Sequence, residues 1–175
     1  MAEFGYSFER KFLSLPKYPD ELDRITDLKE RIEEILPYVN LENEATRREM
    51  MIAPIILVLI HYSQAKLRIE YSIQVDNRLS GKLDYLLCST RNLIVIEAKQ
   101  GDINRGFTQL ATEMIALDKW IDSPQTQILG AVTTGNVWQF GVLDRQSKLI
   151  CEGINLYRVT EELEIIIRIL LARLV

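Results

Sequence analysis

The run Leu93-Ile94-Val95-Ile96, closing on Glu97-Ala98-Lys99, does most to limit how this chain can fold. Alternating apolar and polar residues would mark a strand wet on one face, whereas an unbroken apolar run of this length marks a strand covered on both faces. The sheet that holds it must therefore carry helices on both sides. The run ends in a carboxylate and an ammonium two residues apart, and side chains at i and i+2 share one face of a strand, so Glu97 and Lys99 project together.

The flanking sequence supplies the rest of such an architecture. Leu22, Ile25, Leu28, Ile32 and Ile35 recur at helical spacing after Pro19-Asp20, with Pro37 beyond the end. A second helix is expected from an Asn43 cap to about Tyr62, burying Ile52, Ile55, Ile56 and Leu59 and kinked at Pro54. Residues Lys66 to Val75 alternate, with Leu67, Ile69, Tyr71, Ile73 and Val75 assigned to one face. An Asp76-Asn77 turn, a strand from Lys82 to Cys88, a Ser89-Thr90-Arg91-Asn92 connection and a strand from Asn92 to Ala98 complete a three-strand meander. Gly101 ends it, and Asn104 to Ile121 carries Phe107, Leu110, Met114 and Leu117 at helical spacing. Strands are expected at Gln127 to Thr133, Val137 to Leu143 and Lys148 to Cys151, then a last helix from Glu161 to Leu174 with Glu161, Glu162 and Glu164 in its first turn. A meander followed by a crossover helix and further strands predicts an α/β fold with a mixed sheet flanked by helices.

A chain of 175 residues, 47% apolar and 26% charged, matches one domain with one core. No repeat or linker divides it, so 1–42 reads as an N-terminal helical extension, 43–151 as the core and 152–175 as the C-terminal helix. The apolar run from Met50 to Ile60 is too short to span a bilayer, and the N-terminus lacks a secretion pattern, so a cytoplasmic protein without membrane association is expected. Cys88 and Cys151 lie in apolar strands without metal-type spacing and read as reduced core thiols. A net charge of −4 argues against coating nucleic acid by bulk electrostatics. The stretch from Lys66 to Arg105 is nevertheless locally cationic, with seven basic side chains, among them Arg78 and Arg91, against five acidic ones.

The chemistry concentrates in Ser80-Gly81-Lys82-Leu83-Asp84-Tyr85 and Ile94-Val95-Ile96-Glu97-Ala98-Lys99. A hairpin between these strands brings Asp84 beside Glu97. Two carboxylates and the backbone carbonyl of Ala98 suit Mg²⁺, a hard ion that prefers oxygen ligands and keeps several waters. Lys99 could then orient or help deprotonate an attacking water and stabilise charge on a phosphorane-like transition state. The plainer alternative is an ion pair between Glu97 and Lys99 at a strand end, with Asp84 in a solvated turn.

GKLDYLL, LIVIEAKQ and Gln109 in the following helix together resemble the PD-(D/E)XK nuclease superfamily, most closely the N-terminal nuclease domain of type I restriction motor subunits. Asn43-Glu44-Ala45-Thr46-Arg47-Arg48 with Ile52 and Pro54 resembles that family's first core helix, and Ala131 to Phe140 resembles its later strand-turn-strand, so the resemblance spans about Asn43 to Leu143. It implies a restriction-endonuclease-like core and a Mg²⁺-dependent endonuclease, with Mn²⁺ able to substitute, acting on nucleic acid, DNA above all, in restriction, defence or repair. It implies Asp84 and Glu97 as metal ligands, Lys99 as the catalytic lysine, Glu44 as an acid reaching the metal through water, and Gln109 as a substrate-positioning residue. Glu113 departs from the pattern, since Tyr is common four residues after that Gln, and no helicase motor follows within this sequence.

Glu70 competes with Glu44 for the accessory role. His61 could ligate Mn²⁺ as in cap-snatching viral endonucleases of the superfamily, although a lone His at a helix end is more often structural. Trp120, Trp138 and Phe140 could stack on bases, but their apolar neighbours favour core packing. The functional alternative is a catalytically silent domain of the same fold that binds nucleic acid or a protein, and a third is a component of a larger restriction or repair complex. Cutting both strands of a duplex needs two sites or two encounters, which favours a homodimer.

Overall fold

The computed structural model describes residues 2–76, 79–90, 92–99 and 101–175, apart from the side chain of Asn104. Among them, seven strands form one sheet. In chain order the elements are β1 (Ser7–Lys11), α1 (Ile25–Ile35), α2 (Glu44–Arg47), α3 (Ala53–Ser63), β2 (Lys66–Gln74), β3 (Ser80–Cys88), β4 (Leu93–Ala98), α4 (Ile103–Trp120), β5 (Gln127–Thr133), β6 (Val137–Asp144), β7 (Leu149–Arg158) and α5 (Leu163–Leu174). The strands lie in the order β1-β7-β6-β5-β4-β3-β2. β4 and β5 run parallel through the α4 crossover, β1 is parallel to β7, and the other pairs are antiparallel. This is the expected mixed α/β sheet flanked by helices, with the arrangement of a restriction-endonuclease-like core.

β4 is an interior strand of that sheet, between β5 and β3, and all six of its residues are buried. Ile94, Ile96 and Ala98 face the layer of α1, α3 and α5, while Leu93 and Val95 face α4. Burying each large side chain stabilises the fold by about 1.5–3 kcal/mol. α4 presses closely on the sheet. A Cβ on Gly130 of β5 would lie 2.6 Å from Met114 Sδ, and one on Gly106 would lie 2.5 Å from Val132 Cγ2 and 2.7 Å from Lys99 Cγ. Only glycine at position 106 therefore lets the first turn of α4 lie against the stem of Lys99.

The structure corrects several expectations. The segment 1–42 is not wholly helical, because Ser7–Lys11 adds a parallel edge strand beside β7. β7 runs on to Arg158, so α5 starts only at Leu163, with Glu164 alone in its first turn and Glu162 accepting the Arg158 N–H at 2.9 Å. Leu22 is buried but precedes α1.

The expected helix from Asn43 to Tyr62 is divided. Asn43 caps α2, its Oδ1 accepting from the Ala45 and Thr46 N–H groups, and a wide π turn at Arg48–Ile52 leads into α3 with Pro54 in its first turn. Proline cannot donate to the preceding turn, and the wider spacing accommodates its ring. The turn placed at Asp76-Asn77 and the connection through Arg91 fall partly outside the described residues, as do the basic residues Arg78 and Arg91.

The largest departure is in β2. Leu67 packs with the α1/α3/α5 layer, but Tyr71, Ile73 and Val75 pack with the α4 layer, and Ile69 is 56% exposed. In β3, Tyr85 and Leu87 likewise belong to the first layer and Leu83 to the second. The paired strands change faces together at Glu70, which has φ +52° and lies opposite Asp84 between the pairs Ile69–Tyr85 and Tyr71–Leu83. A left-handed residue in an otherwise extended strand reverses the alternation at that point. Asp84 is thereby set where both helical layers meet the end of β4.

Candidate active site

Register brings the two acids together. Tyr85 pairs with Ile96, so the next step along the hairpin sets Asp84 beside Glu97, and the Ala98 N–H donates to Asp84 Oδ2 at 2.8 Å. Lys99 leaves β4 with its N–H bonded to Thr133 O at 2.8 Å and its Nζ 2.8 Å from Glu97 Oε1. The shared face of Glu97 and Lys99 is thus as expected. From α4, Gln109 Nε2 donates to Glu97 Oε1 at 2.6 Å and to Glu113 Oε1 at 2.9 Å. Both contacts use the amide NH₂, and the Gln109 carbonyl oxygen, on an exposed side chain, has no donor among the described residues.

The cluster is heavily acidic and mostly dry. Glu97 is 1% exposed and Glu113 3%, and among the described residues neither Glu97 Oε2 nor Glu113 Oε2 has a hydrogen-bonding partner while both groups are ionised. Burial first, and then the charge of Glu97, pushes Glu113 up to about 9. It therefore keeps its proton at neutral pH and can donate it to Glu97. Burial also raises Glu97, against the opposing effect of the Lys99 ammonium. Desolvation works to lower Lys99, but its bond to Glu97 and the surrounding carboxylates outweigh this and hold it raised, so it stays charged.

Arg48, from the π turn, approaches from the opposite side. Its Nε donates to the Tyr85 hydroxyl at 3.1 Å, and its Nη1 lies 3.5 Å from Glu70 Oε1 and 3.8 Å from Asp84 Oδ1. Glu70 is also paired with Lys82 Nζ at 2.6 Å, and this bond first, with Arg48 adding to it, holds its carboxyl below the usual range. A cavity of about 620 Å³ opens beside Arg48 and is lined by Glu44, Glu49, Ile69, Glu70 and Tyr85 among others. Both accessory acids thus border one cavity next to Asp84, but Glu70 is engaged by two cations.

His61 is exposed near the end of α3 with its ring edge-on to Tyr62, whose hydroxyl bonds Asp23, a neighbourhood apart from the acid cluster. Trp138 and Phe140 are core residues, while Trp120 is 47% exposed. Cys88 and Cys151 are free thiols.

Among the described residues, no three or more His, Cys, Asp or Glu side chains form a ready metal cage. The donor set still fits an ion that takes two carboxylates and keeps its waters. Among the described residues, Asp84 Oδ1 has Arg48 loosely placed beside it, and Glu97 retains a buried oxygen without an N–H donor.

Sequence reasoning did not include Arg48 or Glu113 among the site residues. Arg48 lies within the Asn43–Arg48 motif, and Glu113 follows Gln109 by one helical turn. Those positions are the signals that could have found them.

No protein-family model matches the chain, and no curated protein matches it. Among solved structures it is similar to a cryo-EM structure of a DrdV–DNA complex, with a TM-score of 0.53 and 13% identity over 89% of this chain and 14% of that one. The likeness shows the fold, and the chain corresponds to a small part of that protein. Among the described residues, no helix is long and apolar enough to cross a membrane.

Proposed function

We propose that this chain is a divalent-metal-dependent nuclease that hydrolyses phosphodiester bonds, with DNA as its substrate, in a restriction, defence or repair setting. The observation that carries this reading is the convergence of Asp84, Glu97, Lys99 and Gln109 at one strand end, where among the described residues one buried oxygen of Glu97 has no N–H donor. The likeness to a DNA-bound protein supports the choice of DNA. Asp84, Glu97 and the Ala98 carbonyl would hold Mg²⁺ or Mn²⁺, with Glu44 reaching it through water, and the ion would polarise the phosphate and acidify a bound water.

The protein groups then have separable roles. Lys99, held 2.8 Å from Glu97, is placed to stabilise negative charge as water attacks phosphorus and the leaving oxygen departs. Gln109, with its NH₂ fixed by two carboxyl groups, presents an acceptor that can orient a water or a substrate donor. Glu113 fixes Gln109 and, while protonated, adds no further negative charge to the pair of Asp84 and Glu97.

The competing proposal, a catalytically silent binding domain, draws on the buried, protonated Glu113 and the absence of a three-ligand cage among the described residues. The test is incubation of wild type and Asp84→Asn with supercoiled, linear duplex and single-stranded DNA and with RNA, in Mg²⁺ and in Mn²⁺. Metal-dependent cleavage by wild type alone is the expected result. Binding of any of these nucleic acids without cleavage in either metal would favour the silent domain.

A further inference from the structure

Asp84 divides its two oxygens between different partners. Oδ2 accepts the Ala98 N–H at 2.8 Å, so it is fixed by the backbone, while the cation facing Oδ1 is Arg48 at 3.8 Å. That separation is an ion pair without a hydrogen bond. Arg48 is anchored elsewhere. Its Nε bonds the Tyr85 hydroxyl at 3.1 Å, its guanidinium lies over the Tyr85 ring with 5.1 Å to the centroid, and its Nη1 is 3.5 Å from Glu70. The side chain is 18% exposed and borders the cavity of about 620 Å³ beside Glu44 and Glu70.

We infer that Arg48 is the exchangeable counter-cation of this site: it neutralises Asp84 Oδ1 when no divalent ion is bound, and yields that oxygen to the ion by turning toward Glu70 and the adjoining cavity, where its guanidinium receives a backbone phosphate of the nucleic acid. This rests on the metal-dependent reading above and adds to it a residue that couples ion binding to substrate binding.

Charge and geometry both support the exchange. With Arg48 absent, Lys99 would be the only cation, among the described residues, paired with Asp84 or Glu97, so the ion-free site gains from a second cation nearby. A divalent ion at Oδ1 would stand within a few ångströms of Nη1, and two like charges so close disfavour one another strongly where water is scarce. Arg48 need not unfold anything to move, because the long contact to Asp84 is the one it loses and the Tyr85 and Glu70 contacts remain. Released from Asp84, its Nη donors can pair with phosphate oxygens in the fork geometry that guanidinium favours. Ion and nucleic acid then bind with positive coupling, since each removes a competitor of the other.

The experiment compares wild type, Arg48→Met and Tyr85→Phe, the last being a near-isosteric change that loosens Arg48 without removing it. Mn²⁺ affinity is read by calorimetry without nucleic acid, and affinity for a phosphorothioate duplex is read in Ca²⁺ and in chelator. Arg48→Met should bind Mn²⁺ roughly tenfold more tightly than wild type. Tyr85→Phe should move in the same direction by a smaller factor. In wild type Ca²⁺ should tighten duplex binding, and in Arg48→Met that gain should largely vanish.

If wild type binds Mn²⁺ but Arg48→Met binds it equally or more weakly, the exchange is overturned while the metal-dependent reading stands. If neither protein binds Mn²⁺, both fail. Tight Mn²⁺ binding that appears only in Arg48→Met would support the exchange in its strongest form.

Discussion

Two charged clusters sit on α4, one toward each end, and they differ in how completely their polar groups are paired. Toward the C-terminal end, Arg145 satisfies all five of its donors. Its Nε is bonded to Asp118 Oδ1, Nη1 to the carbonyls of Ser123 at 2.5 Å and Gln125 at 3.0 Å, and Nη2 to those of Asp118 at 3.3 Å and Ile121 at 3.0 Å. The Tyr6 hydroxyl takes the other Asp118 oxygen, and burial together with that bond raises the phenol well above its ordinary value. Nearer the N-terminal end, among the described residues, Glu97 and Glu113 each keep a buried oxygen that no N–H donor reaches, and Asp84 faces a cation beyond hydrogen-bonding distance. A closed cluster ties down the 121–126 connection. An open one of the same residue types is costly unless something else completes it, and that difference separates a structural ion pair from a candidate active site more sharply than charge content does.

The comparison breaks first at Arg145. Arg145→Ala strands Asp118 and several carbonyls, so urea denaturation should show a loss of about 3 kcal/mol or more. A loss under about 1 kcal/mol would mean that the closed cluster is not structural. At the open cluster the corresponding experiment needs a ligand. Mn²⁺ at about a hundred times its dissociation constant should stabilise wild type by about 2.7 kcal/mol, and Asp84→Asn should lose most of that gain. Equal stabilisation of both proteins in thermal melts would remove Asp84 from the metal site.

A smaller effect concerns Glu113. In chelator, the unfolded chain releases this proton in the ordinary carboxyl range, whereas the folded protein keeps it until about 9, so wild-type stability should fall as pH rises between those values. Glu113→Gln lacks that proton, and its melting temperature should gain on wild type from about pH 5.5 to about pH 8.5. Parallel melting curves across that window would show that Glu113 does not hold its proton in the fold. The subtlest contrast is between the two acids of the cavity. Glu44→Gln should lower cleavage more than Glu70→Gln, because Glu70 is already engaged by Arg48 and Lys82. The reverse ranking would move the accessory role to Glu70.

The sequence revealed those elements whose burial is written in local periodicity. The unbroken Leu93–Ile96 run located an interior strand, Gln127–Thr133 was bounded correctly, and the buried face of α3 followed from Ile55, Ile56 and Leu59. The proximity of Asp84, Glu97 and Lys99 was legible because a hairpin and a two-residue spacing are local geometry. β1 was not, since all five of its residues are exposed and it is a strand only through its pairing with β7. The change of face at Glu70 hides in a single backbone angle that the alternating residues of β2 do not encode. Arg48 and Glu113 reach the site from a π turn and from the turn of α4 after Gln109, and their contacts to Asp84, Glu70 and Glu97 exist only once three elements have packed.

The measurement that bears most directly on catalysis compares wild type with Lys99→Ala under single-turnover conditions. Lys99 repels a metal ion in the ground state but can stabilise charge that only the transition state carries. The cleavage rate of the variant should fall by roughly a hundredfold or more, while its Mn²⁺ affinity does not fall and its affinity for an uncleaved duplex stays within about twofold of wild type. A variant that cleaves as fast as wild type, or a wild type that binds nucleic acid yet cleaves none in either metal, would contradict the assignment of this cluster as a nuclease active site.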